Sequence, residues 1–526
     1  MSSSSLKQLH VTTSRVAGHS FGVTTALVIG AVLELARDVF IARTFGAGTI
    51  MDAFFLGSSI PYMFTGALQE IGQRVLMPWF GMSLHQGRDV AEERLALVFF
   101  LSLSLALVLA SGGVALSPAI AEVLAGPAID IDALSVVLRV GLPAMGLGLM
   151  ISVLGAYLNA SGHYVSVALR RSINGAVFLL AAFLLRIGDA AVILGVAFLL
   201  GYVAEFVVLL AATRPALHCA RMVGAVKHRH SLGALLKSSL FPALVILSLR
   251  ANLVLERVLA GFLTVGSVSA LAYARRTTLA MGTILTQGTN TVALSEMSRL
   301  GGDTDRDHRK AILSSSIRLV LLVSAPIAAI VSVFRIPLTQ VLFGSRLFGA
   351  NAVAATSTLV SLFGLAIPCY VLVPLLLSTF YAKGDTRTPS FHNLIVLLFN
   401  LGLDLLLVWY LGAAGIALAF LLALLFSVFR AWVVVNRQVG ELENVALGRF
   451  VGHLLVSTLV LAIVARLVFL ILSPVFQAIS SPVTAVVVFL SSFAGLSVFV
   501  VVLRAFKVRE VLWLFFWSQR HIGMFD

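Results

Sequence analysis

The sequence predicts an all-α polytopic membrane protein with about fourteen transmembrane helices. Three observations carry this. Of 526 residues, 59% are hydrophobic and 11% charged, with a mean hydropathy of +1.03. Soluble domains carry roughly 25% charged residues, so the chain belongs in a bilayer. Apolar windows of span length recur along the whole chain, and basic residues gather in alternate loops. The net charge of +14 is scattered through those short loops as a topogenic signal. It forms no binding stripe, so no nucleic-acid partner is expected.

The elements follow in order. Residues 1–19 are polar, lack an A-x-A cleavage site and read as a retained cytoplasmic tail. Spans are expected at roughly 20–41, 52–82, 95–117, 133–160, 166–186, 190–212, 234–259, 267–298, 311–334, 353–382, 391–410, 413–435, 449–473 and 482–504. The longest must tilt, protrude or break near residues such as Pro61, Pro143 and Pro368. The N-terminus, even-numbered loops and C-terminus hold about twenty Lys/Arg against about five in the odd-numbered loops. Both termini are therefore expected in the cytoplasm, with a tail at 506–526. The loops are too short for a soluble domain, and no G-x-x-x-x-G-K-[ST] phosphate loop occurs. An enzyme is not expected. Cys219 and Cys369 form no metal or disulfide framework.

A repeat is faintly legible. "GALQEIGQRV" (66–75) is echoed by "GTILTQGTNT" (282–291), and "AYLNASGHYVS" (156–166) by "TFYAKGDTRTPS" (379–390). Six-span units of this kind predict two pseudo-symmetric lobes, 20–230 and 231–440, around a central cavity that holds the substrate site. Two further helices occupy 441–505.

Ionisable residues inside spans are the informative ones, because each must pair or face water. Glu34, Arg37, Asp38, Arg43, Asp52, Glu70 and Arg74 sit in or beside the first two spans. Glu34, Arg37 and Asp38 share a helical face, so local pairing explains them as readily as a cavity does. "SLRANLVLERVLAG" (248–261) places Arg250, Asn252, Glu256 and Arg257 in the seventh span. Arg275 and Arg276 open the eighth, where snorkelling is the alternative to a cavity role. In the eleventh, Asn400 and Asp404 form an i, i+4 pair. Glu256, Asn400 and Asp404 are oxygen donors suited to a Na⁺ or H⁺ site. The competing reading pairs Asp404 with Arg250 or Arg257. Arg37, Arg250, Arg257, Arg275 and Arg276, with Asp52 among them, suit an anionic headgroup such as a pyrophosphate. They do not suit a cationic drug.

Several stretches carry a resemblance: "ARDVFIARTFGAGTIMDAFF" (36–55), "NLVLERVLAGFL" (252–263), "GSVSALAYARR" (266–276), "FYAKGDTRTP" (380–389) and "NLGLDLLLVWYLGAAGIALA" (400–419). By these the chain resembles the MurJ/MviN family of lipid II flippases, within the multidrug/oligosaccharidyl-lipid/polysaccharide exporter superfamily. The resemblance implies lobes that rock between inward- and outward-open states, and two last helices that form a lipid-facing groove. It implies a diphosphate site in which Arg37 and Arg276 match family arginines and Asp52 a family acid. It also implies a sodium site at Glu256, Asn400 and Asp404. The chain departs from the family pattern at Gly30-Ala31 and Thr65, where arginines are usual. It departs again at Phe420, where a threonine beside the sodium site is usual, and at Arg170 and Arg171. The expected function is flipping of a polyprenyl-diphosphate-linked sugar, lipid II or a related glycan precursor, across the bacterial inner membrane by alternating access. Expected partners are that lipid-linked substrate and membrane lipid, with a monomeric protein. The alternative is a cation-coupled exporter of small drug-like molecules on the same scaffold.

Overall fold

The computed structural model describes residues 25–26, 28–185, 188–217, 229–299, 306–382, 385, 387–439, 444–475 and 481–508. Among them the regular structure is helical, with no strand. In order these are α1 (28–45), α2 (Thr49–Ile71), a π turn (Gly72–Leu76), α3 (Met77–Gln86), α4 (Arg88–Leu124), α5 (Ile131–Gly141), α6 (Pro143–Ala160), α7 (Tyr164–Leu184) and α8 (Ala190–Thr213). Then come α9 (Arg229–Gly261), α10 (Ser267–Arg299), α11 (Arg306–Val333), α12 (Arg335–Phe343), α13 (Ala350–Tyr381), α14 (Arg387–Leu411), α15 (Ala413–Val439), α16 (Asn444–Val475) and α17 (Ser481–Ala505). Within the described residues, every expected span falls on one of these helices or on a consecutive group of them. Among the described residues, ten segments are long and apolar enough to cross a membrane. The protein is a multi-pass membrane protein. The tails expected at 1–19 and beyond residue 508 lie outside the described residues.

Proline acts as expected at one of the three named positions. Pro143 opens α6 directly after the break from α5, where its missing N–H costs nothing. Pro61 and Pro368 instead lie inside continuous helices. The second span changes its winding further along, at the π turn over Gly72–Leu76, an irregularity typical of working membrane helices.

The chain forms two compact units, Met1–Ser269 and Ala270–Asp526. In the first, α2 packs against α5, α6 and α9, α4 against α5 and α6, and α7 against α8. α1 meets α7 through Phe40 and Phe183, whose ring centroids are 6.4 Å apart. In the second, α13 packs between α11 and α15, α14 lies along α15, and the α16–α17 pair packs on α11 and α12. Ile317, Ile367, Leu375, Phe380 and Val435 form one core of this unit, and Leu454, Leu461 and Phe499 another. Leu107, Val108, Phe429, Leu459 and Phe489 are exposed, as residues that face acyl chains must be. Trp409 and Tyr410, at the end of α14, are exposed too, in the manner of an interfacial aromatic belt.

Candidate functional site

Asp52 sits in the first turn of α2 and is fully buried. Its Oδ2 accepts a hydrogen bond from the Gly266 N–H at 2.6 Å, and its Oδ1 one from the Ser269 N–H at 2.7 Å. These amides belong to the opening turn of α10. The carboxylate therefore caps that helix from a remote part of the chain, satisfying donors that no intrahelical carbonyl reaches. Gly266 takes φ +90°, a left-handed geometry that a side chain resists. The conformation turns its N–H onto Asp52. Both carboxylate oxygens are thus engaged with the backbone.

Arg37 is buried inside the first unit. Its Nε and Nη2 donate to Asp38 Oδ1 at 3.2 and 3.1 Å, and its guanidinium lies 5.4 Å from the centroid of Phe178. Close by runs a polar network that the sequence reading did not assemble. The Thr65 hydroxyl and the Tyr202 hydroxyl are 3.0 Å apart. Arg170 Nη2 donates to Gln69 Oε1 at 3.0 Å, and Arg170 Nε lies 3.5 Å from Glu205 Oε1. Asn174 reaches Glu205 Oε2 at 3.4 Å. Arg170 and Glu205 are both buried. A lone Glu in the apolar run of α8 was the signal that could have found this pair.

The network also accounts for one departure from the family pattern. Thr65 stands where an arginine was expected and packs against Gly148: a Cβ built on that glycine would lie 2.2 Å from Thr65 Cγ2. Arg171 is exposed, unlike its neighbour Arg170.

Two accessible guanidinium groups of the first unit flank Glu70. Arg74 Nη2 lies 2.7 Å from Glu70 Oε1, and Arg250 Nη2 lies 3.1 Å from Glu70 Oε2. Their side chains are 53% and 50% exposed, against 5% for Arg37. Arg257 is buried, donates to the Phe55 carbonyl at 2.6 Å and lies 5.9 Å from the Phe55 ring centroid. Glu256 is buried as well and accepts from Asn252 Nδ2 at 2.7 Å, so these two share a face as their spacing predicts. Of the expected substrate ligands in this unit, Arg250 has the solvent-accessible group. Arg37, Asp52 and Arg257 are engaged within the fold.

In the second unit, Arg275 and Arg276 are adjacent on α10, and both are half-buried. Consecutive helical residues point about 100° apart, so the two guanidinium groups leave on different faces. The Arg275 guanidinium lies 4.5 Å from the ring centroid of Phe420 and 5.8 Å from that of Phe363. On α14, Asn400 Nδ2 donates to Asp404 Oδ2 at 2.7 Å, and Asn400 Oδ1 is buried and accepts no hydrogen bond. The donor set fits a sodium ion poorly. Hard cations gather about six or more oxygens, whereas α14 offers the Asn400 amide and the Asp404 carboxylate, and Phe420 stands on α15 where a further oxygen donor was expected. On the same helix His392 is buried, 2.8 Å from Ser427 Oγ and 2.8 Å from Arg430 Nη1.

The G-D-T-R-T-P motif has a local job. Asp385 Oδ1 accepts from the N–H groups of Arg387 and Thr388 at 3.0 and 3.1 Å, which caps α14. Lys383, Gly384 and Thr386 lie outside the described residues, as do the side chains of the second repeat motif from residue 284 onward.

The family model described as "Lipid II flippase MurJ" matches residues 41–490. Among curated relatives, the "Probable lipid II flippase MurJ" of Vibrio cholerae is 25% identical over 76% of this chain and 78% of that protein. The "Lipid II flippase MurJ" of Burkholderia cenocepacia is 25% identical over 74% and 78%. The "Probable lipid II flippase MurJ" of Rickettsia prowazekii is 31% identical, but over only 32% of each chain. Among solved structures, "Lipid II flippase MurJ, inward closed conformation" superposes with a TM-score of 0.74 at 20% identity, covering 92% of this chain and 99% of that one. An inward-facing multidrug resistance MATE family transporter of the MOP superfamily reaches 0.62 at 15% identity, covering 79% and 96%. These structural likenesses carry the fold, and the match over residues 41–490 carries the kinship: the chain belongs to the lipid II flippase MurJ family.

Proposed function

We propose that the protein flips a polyprenyl-diphosphate-linked sugar, of the lipid II class, across the bacterial inner membrane by alternating access, with both termini in the cytoplasm. The observation that carries this reading is the family match over residues 41–490. The arginines supply its chemistry. A diphosphate cannot enter hydrocarbon uncompensated, and the planar guanidinium fork engages phosphate oxygens in pairs. Arg250, flanked by Arg74 and held by Glu70, is the group of the first unit placed to receive such a headgroup. Arg275 and Arg276 are the candidates of the second. Asp52, Arg37 and Arg257 act by fixing the helices that carry these groups.

The polyprenyl tail stays in lipid while the sugars cross with the headgroup. We assign the driving force to the membrane potential, worth about 2.3 kcal/mol per elementary charge per 100 mV, or to proton binding at Glu256 or Asp404. No covalent chemistry is proposed, and the working form is a monomer. The multidrug reading shares the scaffold, but a surplus of guanidinium groups repels cationic cargo.

The test is reconstitution in liposomes with fluorescent lipid II, a second polyprenyl-diphosphate-linked glycan and a cationic dye. Lipid-linked diphosphates should cross, and Arg250→Ala should slow them at least tenfold. Export of the dye with no movement of either lipid would overturn the reading.

A further inference from the structure

The level of Asp404 in the second unit has an unusual composition. α14 and α15 are joined at Gly412 and pack along one another. Gly412 lies eight residues after Asp404 and eight before Phe420, roughly 12 Å of helix in each direction. An antiparallel pair therefore sets the two at the same depth. The Phe399 and Phe426 rings, 4.4 Å apart by centroid, report the same register further from the turn. α14 buries a single stripe that includes His392, Asn400, Asp404 and Val408, and α15 is the helix it packs along. Asp404 thus lies on the stripe buried in this packing, and at its level the neighbouring helix offers Phe420. Phe363 meets that ring edge-on at 5.5 Å. Onto the pair lies the Arg275 guanidinium.

We infer that the positive charge at this level is built into the chain: the Arg275 guanidinium, seated on Phe420 and Phe363, takes the place of a free alkali cation, so that this protein does not bind sodium beside Asp404. The physical grounds are three. A phenyl ring donates no oxygen to a small hard ion, yet it binds the broad, weakly hydrated face of a guanidinium well. A second cation placed here would meet a fixed like charge across low-dielectric protein. On α14 the oxygens at this level come from the Asn400 amide and the Asp404 carboxylate, fewer than the six or so that a hard cation gathers. The inference is independent of which lipid is carried, because it concerns an ion site inside one unit.

Thermal melting of the purified full-length protein in sodium, potassium and choline chlorides at equal ionic strength tests it. The unaltered protein should melt at one temperature in all three. The double variant Arg275→Ala/Phe420→Thr removes the built-in charge and adds an oxygen. Sodium should then raise its melting temperature by roughly 2 °C or more over choline, and adding Asp404→Asn should cancel that gain. Should the double variant not fold, Arg275→Ala alone is melted with and without methylguanidinium; recovery with that ion and not with choline supports the inference. Arg275→Lys, which keeps the charge, should stay indifferent to sodium. A sodium-specific rise in the unaltered protein that Asp404→Asn abolishes overturns the inference. So does a folded double variant blind to sodium, or a folded Arg275→Ala blind to methylguanidinium.

Discussion

The two units answer one problem, a charge inside a greasy fold, in different ways. The first meets charge chiefly with charge or with backbone, although Arg37 and Arg257 also lie near phenyl rings. Arg37 takes Asp38, Arg170 takes Glu205, and Asp52 takes two amides of the α10 opening turn. The second seats Arg275 on rings and couples His392 to Arg430 and Ser427. A salt bridge in a dry interior is held by the partner's presence and fails badly when one side is lost. A ring contact stabilises less, about 0.5–2 kcal/mol, so losing one costs less than losing an ion-pair partner. The first unit should therefore be brittle toward single substitutions and the second tolerant.

The largest effect tests that brittleness directly. Glu205→Ala leaves Arg170 buried against Gln69 alone, and breaking such a pair costs about 3–5 kcal/mol. Melting or denaturant titration should show it as a severe loss. The double variant Arg170→Met/Glu205→Leu should recover most of the deficit, since apolar replacements of similar size are often neutral. If the single change melts with the unaltered protein, the contrast between the units fails at its strongest point.

Asp52→Ala comes next. It strands two buried amides and removes a helix cap, each worth about 1–2 kcal/mol. The loss should appear in protection of the Gly266 and Ser269 amides by hydrogen exchange, with little change around α13 and α14. Asp52→Asn should be milder, because an amide oxygen still accepts one N–H.

These residues also mark what the sequence allowed one to read. Helix positions were legible because apolar windows report them directly, even through the break at Pro143. Asn252–Glu256 and Asn400–Asp404 were legible because helical spacing alone sets each pair on one face. Asp52 was legible as an acid within a span and was read as part of a headgroup site, not as a cap, since its partners are backbone amides 214 and 217 positions away that no residue type announces. Arg170 drew notice only as a departure from a family pattern, and its reason, Glu205, lies in a different span, 35 positions away. The Phe420 substitution was visible too; that it serves as a seat for Arg275 required the α14–α15 register.

Phe420→Leu should cost the second unit about 1 kcal/mol, a shift of roughly 2–4 °C in melting. That is well below the Glu205→Ala loss, and a larger effect would make the aromatic seat as brittle as the first unit's ion pairs.

The smallest effect lies in a loop. Asp385 caps α14, and the Thr388 side chain, followed by the Thr388 and Arg387 N–H groups, holds its carboxyl below the usual carboxylate range. A carboxyl with a depressed folded-state value stabilises fully above the unfolded-state value, about 4, and loses that contribution as pH falls through the folded one. Asp385→Ala should therefore cost about 0.5 kcal/mol at neutral pH, and the gap to the unaltered protein should close in acid. Paired melting curves at neutral pH and near pH 3 would measure it. A gap that persists in acid would mean that Asp385 stabilises α14 through packing rather than through its charge.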